Sequence, residues 1–307
     1  MASAQDLRKR IKSVTNTQQI TKAMKMVASA RLRRAQSKAR GTAPYADSLG
    51  DILRETVSAA KSLSHPLMTV RPVKRTAYLV IGADKGLAGA YTGNLMKAFM
   101  AEVQTRQSDS YEVISVGRKP ADFLKHRRIK TIHAYSGFSD KPAYEHAEEL
   151  VSRAAGLFLD GTVDEVVMFY THFVNSLTQE VRTVKLLPLE VGAEVSADSF
   201  VDFVEDDDAG EVPDESFDSE ESTDVIFVPD AKSVYYELLP KYLGITVYNG
   251  LLQSAASELG ARMTAMTAAT DNAGELISAL DLEYNKLRQA GITNEISEIV
   301  GGANALQ

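Results

Sequence analysis

Both ends of the chain show helical periodicity over lengths that a compact domain cannot bury. Between Ser3 and Ser62 apolar residues recur three or four positions apart, which is the spacing of one helix face. They include Leu7, Ile11, Val14, Ile20, Met24 and Val27. No proline follows Pro240, so a second helix can run from Lys241 to the end. A helix of about 60 residues is roughly 90 Å long. Two such helices at opposite ends predict an antiparallel coiled coil.

The residues between these ends follow a different pattern, in which apolar runs of strand length alternate with helical stretches. The runs lie at 77–81, 113–116, 129–134 and 166–170, and the helical stretches at 89–107, 119–127 and 142–159. This alternation predicts a central, Rossmann-like α/β domain with a parallel sheet. The alternating run 177–188 predicts an additional edge strand.

Turn residues and composition divide the chain into five segments. His65-Pro66 and Arg71-Pro72 mark a connector, and Gly41 and Pro44 predict a kink in the first helix. The segments are an N-terminal coiled-coil helix at 1–62, the connector at 63–75, the α/β domain at 76–192, an acidic insertion at 193–224 and a C-terminal coiled-coil helix at 225–307. Pro229-Asp230 is a plausible start for the last helix.

Charge is separated along the chain. Between Glu194 and Asp224 there are fourteen acidic residues and no Lys or Arg, whereas the first forty residues carry eleven Lys or Arg and one acid, Asp6. The acidic composition predicts a solvated loop. Two roles remain open for this loop: a surface insertion that varies between species, or an acidic arm that docks on a basic surface or modulates turnover.

Few residues suggest chemistry. The chain has no Cys, its five His lack metal-ligand spacing, and no apolar run of about 18 residues could span a bilayer. The motif GADKGLAG at 82–89 follows a predicted strand, but it matches neither common phosphate-binding fingerprint. It therefore predicts a tight turn rather than a nucleotide site. Asp84 and Lys85 could form a catalytic pair, yet no nucleophile pattern accompanies them. No catalytic residue, cofactor or metal is predicted.

The basic N-terminal helix has three interpretations. It could bind nucleic acid, lie on an anionic membrane, or pair with the C-terminal helix and present Lys and Arg to an acidic protein. Its Lys and Arg residues surround an apolar stripe. That stripe lacks the aromatic residues on which nucleobases stack. The matching second helix favours the protein partner, with no nucleic acid and no membrane insertion.

Four stretches of sequence resemble the gamma subunit of the rotary F-type ATP synthase. They are IKSVTNTQQITKAMKMVASARLRRAQ at 11–36, GADKGLAGAYT at 82–92, NAGELI at 272–277 and YNKLRQAGITNEISEIVGGANAL at 284–306. The resemblance implies a central stalk whose terminal helices wind together inside a ring of three alpha and three beta subunits. It also implies contacts with the epsilon subunit and the c-ring, and a peripheral position on the cytoplasmic face of a bacterial cell membrane.

The resemblance further implies which residues touch the beta subunits. By motif position, Met24 and Lys25 would face the acidic lever segment of a beta subunit, while Arg288, Gln289 and Thr293 would face the loops that grip the shaft. In this interpretation the subunit is not an enzyme, because the chemistry of ATP belongs to beta. The alternatives are an α/β nucleotide-binding enzyme with helical extensions and a basic coiled-coil nucleic-acid binder.

Overall fold

The computed structural model describes residues 4–59, 65–189, 228 and 230–305, so the acidic insertion lies outside the described residues. The chain divides into two compact units. The helical unit comprises Met1–Ser29 and Arg262–Gln307, and the sheet unit comprises Ala30–Ala261. Within the described ranges, the helices are α1 (Ala4–Ala59), α2 (Tyr91–Val103), α3 (Arg118–His126), α4 (Tyr144–Leu159) and α5 (Ala231–Ala305).

The two terminal helices each contribute to both units. Helix α1 is continuous across Gly41 and Pro44, where the sequence predicts a kink. Helix α5 begins at Ala231, ten residues before the predicted start, and Pro240 lies inside it. The early start has a local cause: the Asp230 carboxylate accepts the Ser233 N–H and hydroxyl, both at 2.9 Å, and caps the first turn. The sequence predicts two starting points for this helix, Pro229-Asp230 and Lys241. The first agrees with the observed start at Ala231.

Five strands in the described residues form one sheet in the order β3-β2-β1-β4-β5. Their bounds are β1 (Thr76–Ile81), β2 (Tyr111–Val116), β3 (His133–Tyr135), β4 (Glu165–Phe173) and β5 (Gln179–Leu187). Strands β1 to β4 run parallel to one another. Strand β5 pairs with β4 in the antiparallel direction and is the edge strand that the alternating pattern predicts. The order matches the first five positions of the doubly wound order 3-2-1-4-5-6, so the Rossmann-like prediction is confirmed.

One predicted strand is shorter than expected. In the apolar run 129–134, the Ile132 N–H donates to the Val113 carbonyl at 2.9 Å, and registered pairing with β2 begins at His133. Arg128 takes a positive φ of 58°, and the Ile129 N–H bonds back to the Leu124 carbonyl at 3.0 Å. The first half of the run is therefore a turn after α3, and Ile129 packs against the core instead of extending the strand.

The core of the sheet unit lies on both faces of β1, whose six residues are all buried. On one face Tyr78 meets Phe99 of α2 and Phe169 of β4 in edge-to-face contacts, with ring centroids 5.6 and 5.7 Å apart. The other face, which includes Leu79, is covered by α4 and by residues of α5 such as Leu243. The N-terminal part of α5 is therefore a core element of the sheet unit.

Candidate functional site

The loop that follows β1 carries the glycine-rich motif and lies at the carboxyl ends of the strands. In doubly wound folds ligands bind at this edge, beside a helix N-terminus. Here the Asp84 carboxylate lies beside the N-terminus of α3, the helix that follows β2. It accepts the amide N–H groups of Arg118 at 3.1 Å, Gly137 at 2.8 Å and Ser139 at 3.2 Å. A side chain of the protein therefore provides a negative charge at the first turn of α3.

Close backbone packing completes this edge. A Cβ on Gly82 would lie 2.4 Å from Pro120 Cγ, and one on Gly117 would lie 2.7 Å from the carbonyl oxygens of Gly82 and Ala83. Gly117 also has a φ of +97°, which favours glycine. The glycines therefore let the loops after β1 and β2 touch, as the tight-turn prediction requires.

Burial and hydrogen bonding act in opposite directions on the Asp84 carboxyl. Burial raises the pKa of Asp84, but the hydrogen bonds from Ser139, Gly137 and Arg118 outweigh it and hold the pKa below its ordinary value. Asp84 is therefore ionised and structural, and it does not form a pair with Lys85.

Lys85 instead contacts Asp140, in the loop between β3 and α4. Its Nζ lies 2.9 Å from the Asp140 carboxylate, and Arg31 Nη1 of α1 lies 2.5 Å from the same oxygen. Burial raises the pKa of Asp140, but Lys85 and Arg31 outweigh that effect and keep the pKa low. Further along α1, Lys38 Nζ donates to the Pro142 carbonyl at 2.8 Å. These contacts hold α1 on the sheet unit.

The helical unit is an antiparallel pair. The Thr21 and Thr270 hydroxyl oxygens are 2.8 Å apart, and the Gln18 amide nitrogen lies 3.3 Å from the Thr270 carbonyl. The same Gln18 nitrogen would lie 3.0 Å from a Cβ on Gly274. Residue numbers therefore fall along α5 as they rise along α1, and the predicted antiparallel arrangement is confirmed. Gly274 allows the close approach.

Many large apolar side chains of this unit remain exposed. The pair buries one row of residues that includes Leu7, Ala28, Met266, Ala273 and Leu280. It leaves a larger set exposed, comprising Ile20, Met24, Met26, Val27, Leu276, Leu282, Ile292, Ile296 and Ile299. Exposed apolar surface on this scale is typical of a helix that other proteins enclose.

The predicted contact residues fall in two zones of the helical unit. Met24 is 39% exposed and Lys25 is half-buried, both on α1. Arg288, Gln289 and Thr293 are exposed on α5. The observed register places Met24 opposite about residue 267 of α5, so Arg288 lies roughly 30 Å further along the axis. The structure does not bring the two groups together.

The zone of Arg288, Gln289 and Thr293 lies on α5, beyond the described residues of α1. Extending the register places Ala4, the first described residue of α1, opposite about residue 287 of α5. Arg288 and the residues after it continue beyond the described part of α1. Their isoleucines are exposed by 47% at Ile292, 56% at Ile296 and 71% at Ile299.

Two features of the structure escaped the sequence analysis. Leu87, at the tip of the glycine-rich loop, has a positive φ of 64° and is an exposed apolar residue in the sheet unit. In addition, buried polar residues of α5 bind the backbone of β4. A positive φ at a leucine has no signal in the sequence. The polar residues Gln253 and Ser254 can be read from the sequence, and they lie in a stretch of helix that is buried throughout.

Comparison with known proteins places the chain in a family. The family model described as ATP synthase matches residues 3–306. The chain is 42% identical to the ATP synthase gamma chain of Desulfitobacterium hafniense and 44% identical to that of Heliobacterium modesticaldum, over the full length of both chains in each case. The chain belongs to the ATP synthase gamma chain family.

Solved structures of other chains share this fold. A chain of the mitochondrial ATP synthase of Euglena gracilis aligns with a TM-score of 0.68 at 19% identity, covering 99% of this chain and 94% of that one. A chain from the central stalk and c-ring of the Tetrahymena thermophila mitochondrial enzyme aligns with a TM-score of 0.58 at 22% identity, covering 81% and 99%. Across the ranges that the structure covers, no helix is long and apolar enough to cross a membrane.

Proposed function

We propose that this gamma-family chain is the central rotor shaft of an F1Fo ATP synthase. The full-length identity to gamma chains carries this conclusion. The fold supplies the mechanical parts, because the antiparallel pair is long and leaves apolar side chains exposed for a surrounding protein. A shaft with different side chains on each face makes different contacts at each angle, and so shifts the conformational populations of the subunits around it.

The partners follow from this role. The helical pair enters the hexamer of three alpha and three beta subunits, and the sheet unit contacts the epsilon subunit and the c-ring. The c-ring turns the shaft as protons pass through Fo. The chain is then a peripheral protein on the cytoplasmic face of a bacterial cell membrane. It uses no cofactor, binds no nucleic acid and does not insert into the bilayer.

Two contact zones along the pair would meet the beta subunits at different heights. Met24 and Lys25 face the acidic lever segment, where the Lys25 ammonium attracts carboxylates. Arg288, Gln289 and Thr293 face the loops that grip the shaft, on the part of α5 that continues beyond the described part of α1. Exposed ion pairs contribute about 1 kcal/mol or less, which suits contacts that break in every turn.

The chemistry of ATP belongs to the beta subunits. In the glycine-rich loop after β1, the Asp84 carboxylate accepts three backbone N–H groups of the protein itself. The alternative function is that of an enzyme of the nucleotide-binding class. Equilibrium dialysis of the isolated chain against ATP and NAD checks this alternative, and saturable binding with a 1:1 stoichiometry would favour it.

Purification of the assembled complex tests the shaft role. A tagged chain should co-purify with two homologous ATP-binding polypeptides, in one copy per hexamer. Because the chain has no Cys, Lys130→Cys gives a unique exposed attachment point for a bead on the sheet unit. ATP should then drive stepwise rotation of the bead when the hexamer is fixed to a surface. A hexamer that forms without this chain and hydrolyses ATP with coupled proton transport would contradict the proposal.

A further inference from the structure

Strand β4 extends further than its neighbour β1. Pairing between the two ends at Val80 and Phe169, whereas β4 continues to Phe173 and pairs with β5 over its whole length. On the side that faces β1, the last residues of β4 therefore have no strand partner among the described residues. Buried backbone N–H and C=O groups left in this way are costly unless other groups bind them.

Side chains of α5 take the place of the missing strand. The Thr171 N–H donates to Ser254 Oγ at 3.3 Å, and the Phe173 N–H donates to Gln253 Oε1 at 3.1 Å. The Ser257 hydroxyl donates to the Thr171 carbonyl at 3.1 Å. We call these three hydrogen bonds the β4–α5 clamp. All three helix residues are buried, with at most 3% of their surface exposed.

Two further contacts fix the helix at the same place. The Tyr91 hydroxyl at the start of α2 donates to the Ser254 carbonyl at 3.2 Å. A Cβ on Gly260 would lie 2.9 Å from Phe173 Cε2, so the glycine lets the Phe173 ring reach the helix backbone. The helix is therefore bound to β4 by both side chains and close backbone packing.

Hydrogen bonds constrain this interface in a way that apolar packing does not. Hydrophobic contact is non-directional, so the burial of apolar surface alone does not select one rotational angle of the helix. A buried polar group that loses its partner carries the full desolvation penalty. Because consecutive helix residues differ by about 100°, even a one-residue slip of α5 would break all three bonds of the clamp.

The clamp lies near the point along the chain where α5 passes from one unit to the other. Ser257 is four residues before Ala261, the last residue of the sheet unit. On α1, the Arg31 contact with Asp140 lies two residues after Ser29, the last N-terminal residue of the helical unit. Each shaft helix is thus anchored to the sheet unit close to this transition, α1 by ions and α5 by neutral hydrogen bonds.

We propose that the β4–α5 clamp fixes the rotational angle of α5 on the sheet unit, so that torque applied to the sheet unit reaches the helical pair. Gln253, Ser254 and Ser257 are positioning residues in this role, which rests on the proposed shaft function. A chain that lacked the clamp would still fold and assemble through its apolar core. Its shaft would twist further relative to the sheet unit under the same load.

The test uses the assembled complex with a bead on Lys130→Cys, held through its beta subunits and paused without ATP. The angular variance of the bead reports the torsional stiffness of the shaft. The double variant Gln253→Met, Ser257→Ala removes two bonds of the clamp at nearly constant volume. Its variance should rise roughly twofold, because directional hydrogen bonds are replaced by non-directional contact. Exchange of amide hydrogen for deuterium in the peptide that spans Thr171 to Phe173 should become faster.

A matched packing variant separates stiffness from general loss of stability. Leu251→Ala removes apolar burial from the same stretch of α5 and leaves the clamp intact. It should change the variance much less than the double variant does, even where both unfold at the same temperature. The proposal is overturned if the angular variance of the bead is the same in the double variant and in the unsubstituted complex. It is also overturned if Leu251→Ala raises the variance as much as the double variant does. If the unsubstituted complex does not rotate on addition of ATP, the shaft function itself fails.

Discussion

The hydroxyl groups of Thr21 and Thr270 lie 2.8 Å apart across the two terminal helices, 249 positions apart in sequence. Each hydroxyl also contacts a carbonyl of its own helix, that of Gln18 or Met266. Small polar side chains at this crossing allow close approach and give the pair a defined register. The register in turn sets how far α5 continues beyond α1.

A double-mutant cycle on these threonines should measure the register contact. Thr21→Val and Thr270→Val keep the volume and remove the hydroxyls, so their coupling free energy should be about 0.5–1 kcal/mol. Urea unfolding of the purified chain, followed by circular dichroism, provides the measurement. Thr267→Val is the matched control, because this half-buried hydroxyl donates only to its own helix at Met263. Coupling of Thr21 to Thr267 as large as that to Thr270 would contradict the register.

Asp84→Asn should destabilise the sheet unit in a pH-dependent way. The folded-state pKa of Asp84 lies below its unfolded value of about 3.9, so its contribution is complete above that value and is lost as the pH falls through the folded pKa. Three amide donors to an ionised carboxylate suggest a loss of about 2 kcal/mol at pH 7.

Urea unfolding at pH 7 and at pH 3.5 measures the Asp84 effect. The difference between the variant and the unsubstituted chain should shrink at the lower pH. Asp109→Asn provides the control, because Asp109 is exposed in the turn before β2. A constant difference at both pH values would show that the charge of Asp84 contributes nothing.

The two cations at Asp140 should contribute unequally. Arg31 is the less exposed partner, with 35% of its side chain accessible against 52% for Lys85. Solvent screens the more exposed pair more strongly, so we expect a coupling of about 1 kcal/mol for Arg31 and below about 0.5 kcal/mol for Lys85. Double-mutant cycles with Arg31→Met, Lys85→Met and Asp140→Asn measure both. A coupling near zero between Arg31 and Asp140 would mean that this ion pair does not hold α1.

The effect of glycine-to-alanine substitutions on the free energy of unfolding should depend on which atoms the new methyl group contacts. At Gly244 it would lie 2.6 Å from the hydroxyl of the rigid Tyr144 ring, so the chain should lose about 1–3 kcal/mol. At Gly250 it meets the flexible end of Met168, which can move, and the change should be near zero. Gly156 has open space around it, so alanine should stabilise by about 0.5–1 kcal/mol. Thermal unfolding checks this order, and a stabilising Gly244→Ala would refute the packing.

Arg288→Glu should reduce the coupling between ATP hydrolysis and proton transport. Loss of about 1 kcal/mol at one contact corresponds to roughly a fivefold change in rate. Lys286→Glu makes the same change of charge two residues away, about 200° around the helix, and should have a much smaller effect. ATP-driven acidification of vesicles that contain the complex provides the measurement. An equal loss in both variants would show a general effect of charge and no contact at Arg288.

Much of the fold could be predicted because it rests on local patterns. Three-to-four-residue spacing predicts the terminal helices, and strand-length apolar runs predict four of the five strands within a few residues. The start of α5 after Asp230 has a local cause too, since the Asp230 carboxylate caps the helix. The shortened β3 depends on a turn at Arg128, where the positive φ has no counterpart in composition.

The sequence alone determined that two long helices pair and that an α/β domain lies between them, because periodicity needs only neighbouring residues. Only the tertiary structure decided which polar groups meet. Asp84 binds amides more than fifty positions away, and Gln253 binds Phe173 eighty positions away. Such pairs depend on strand order and helix register, which bring distant backbone groups together. The energy of a buried hydrogen bond is set by that geometry, and no local pattern records it.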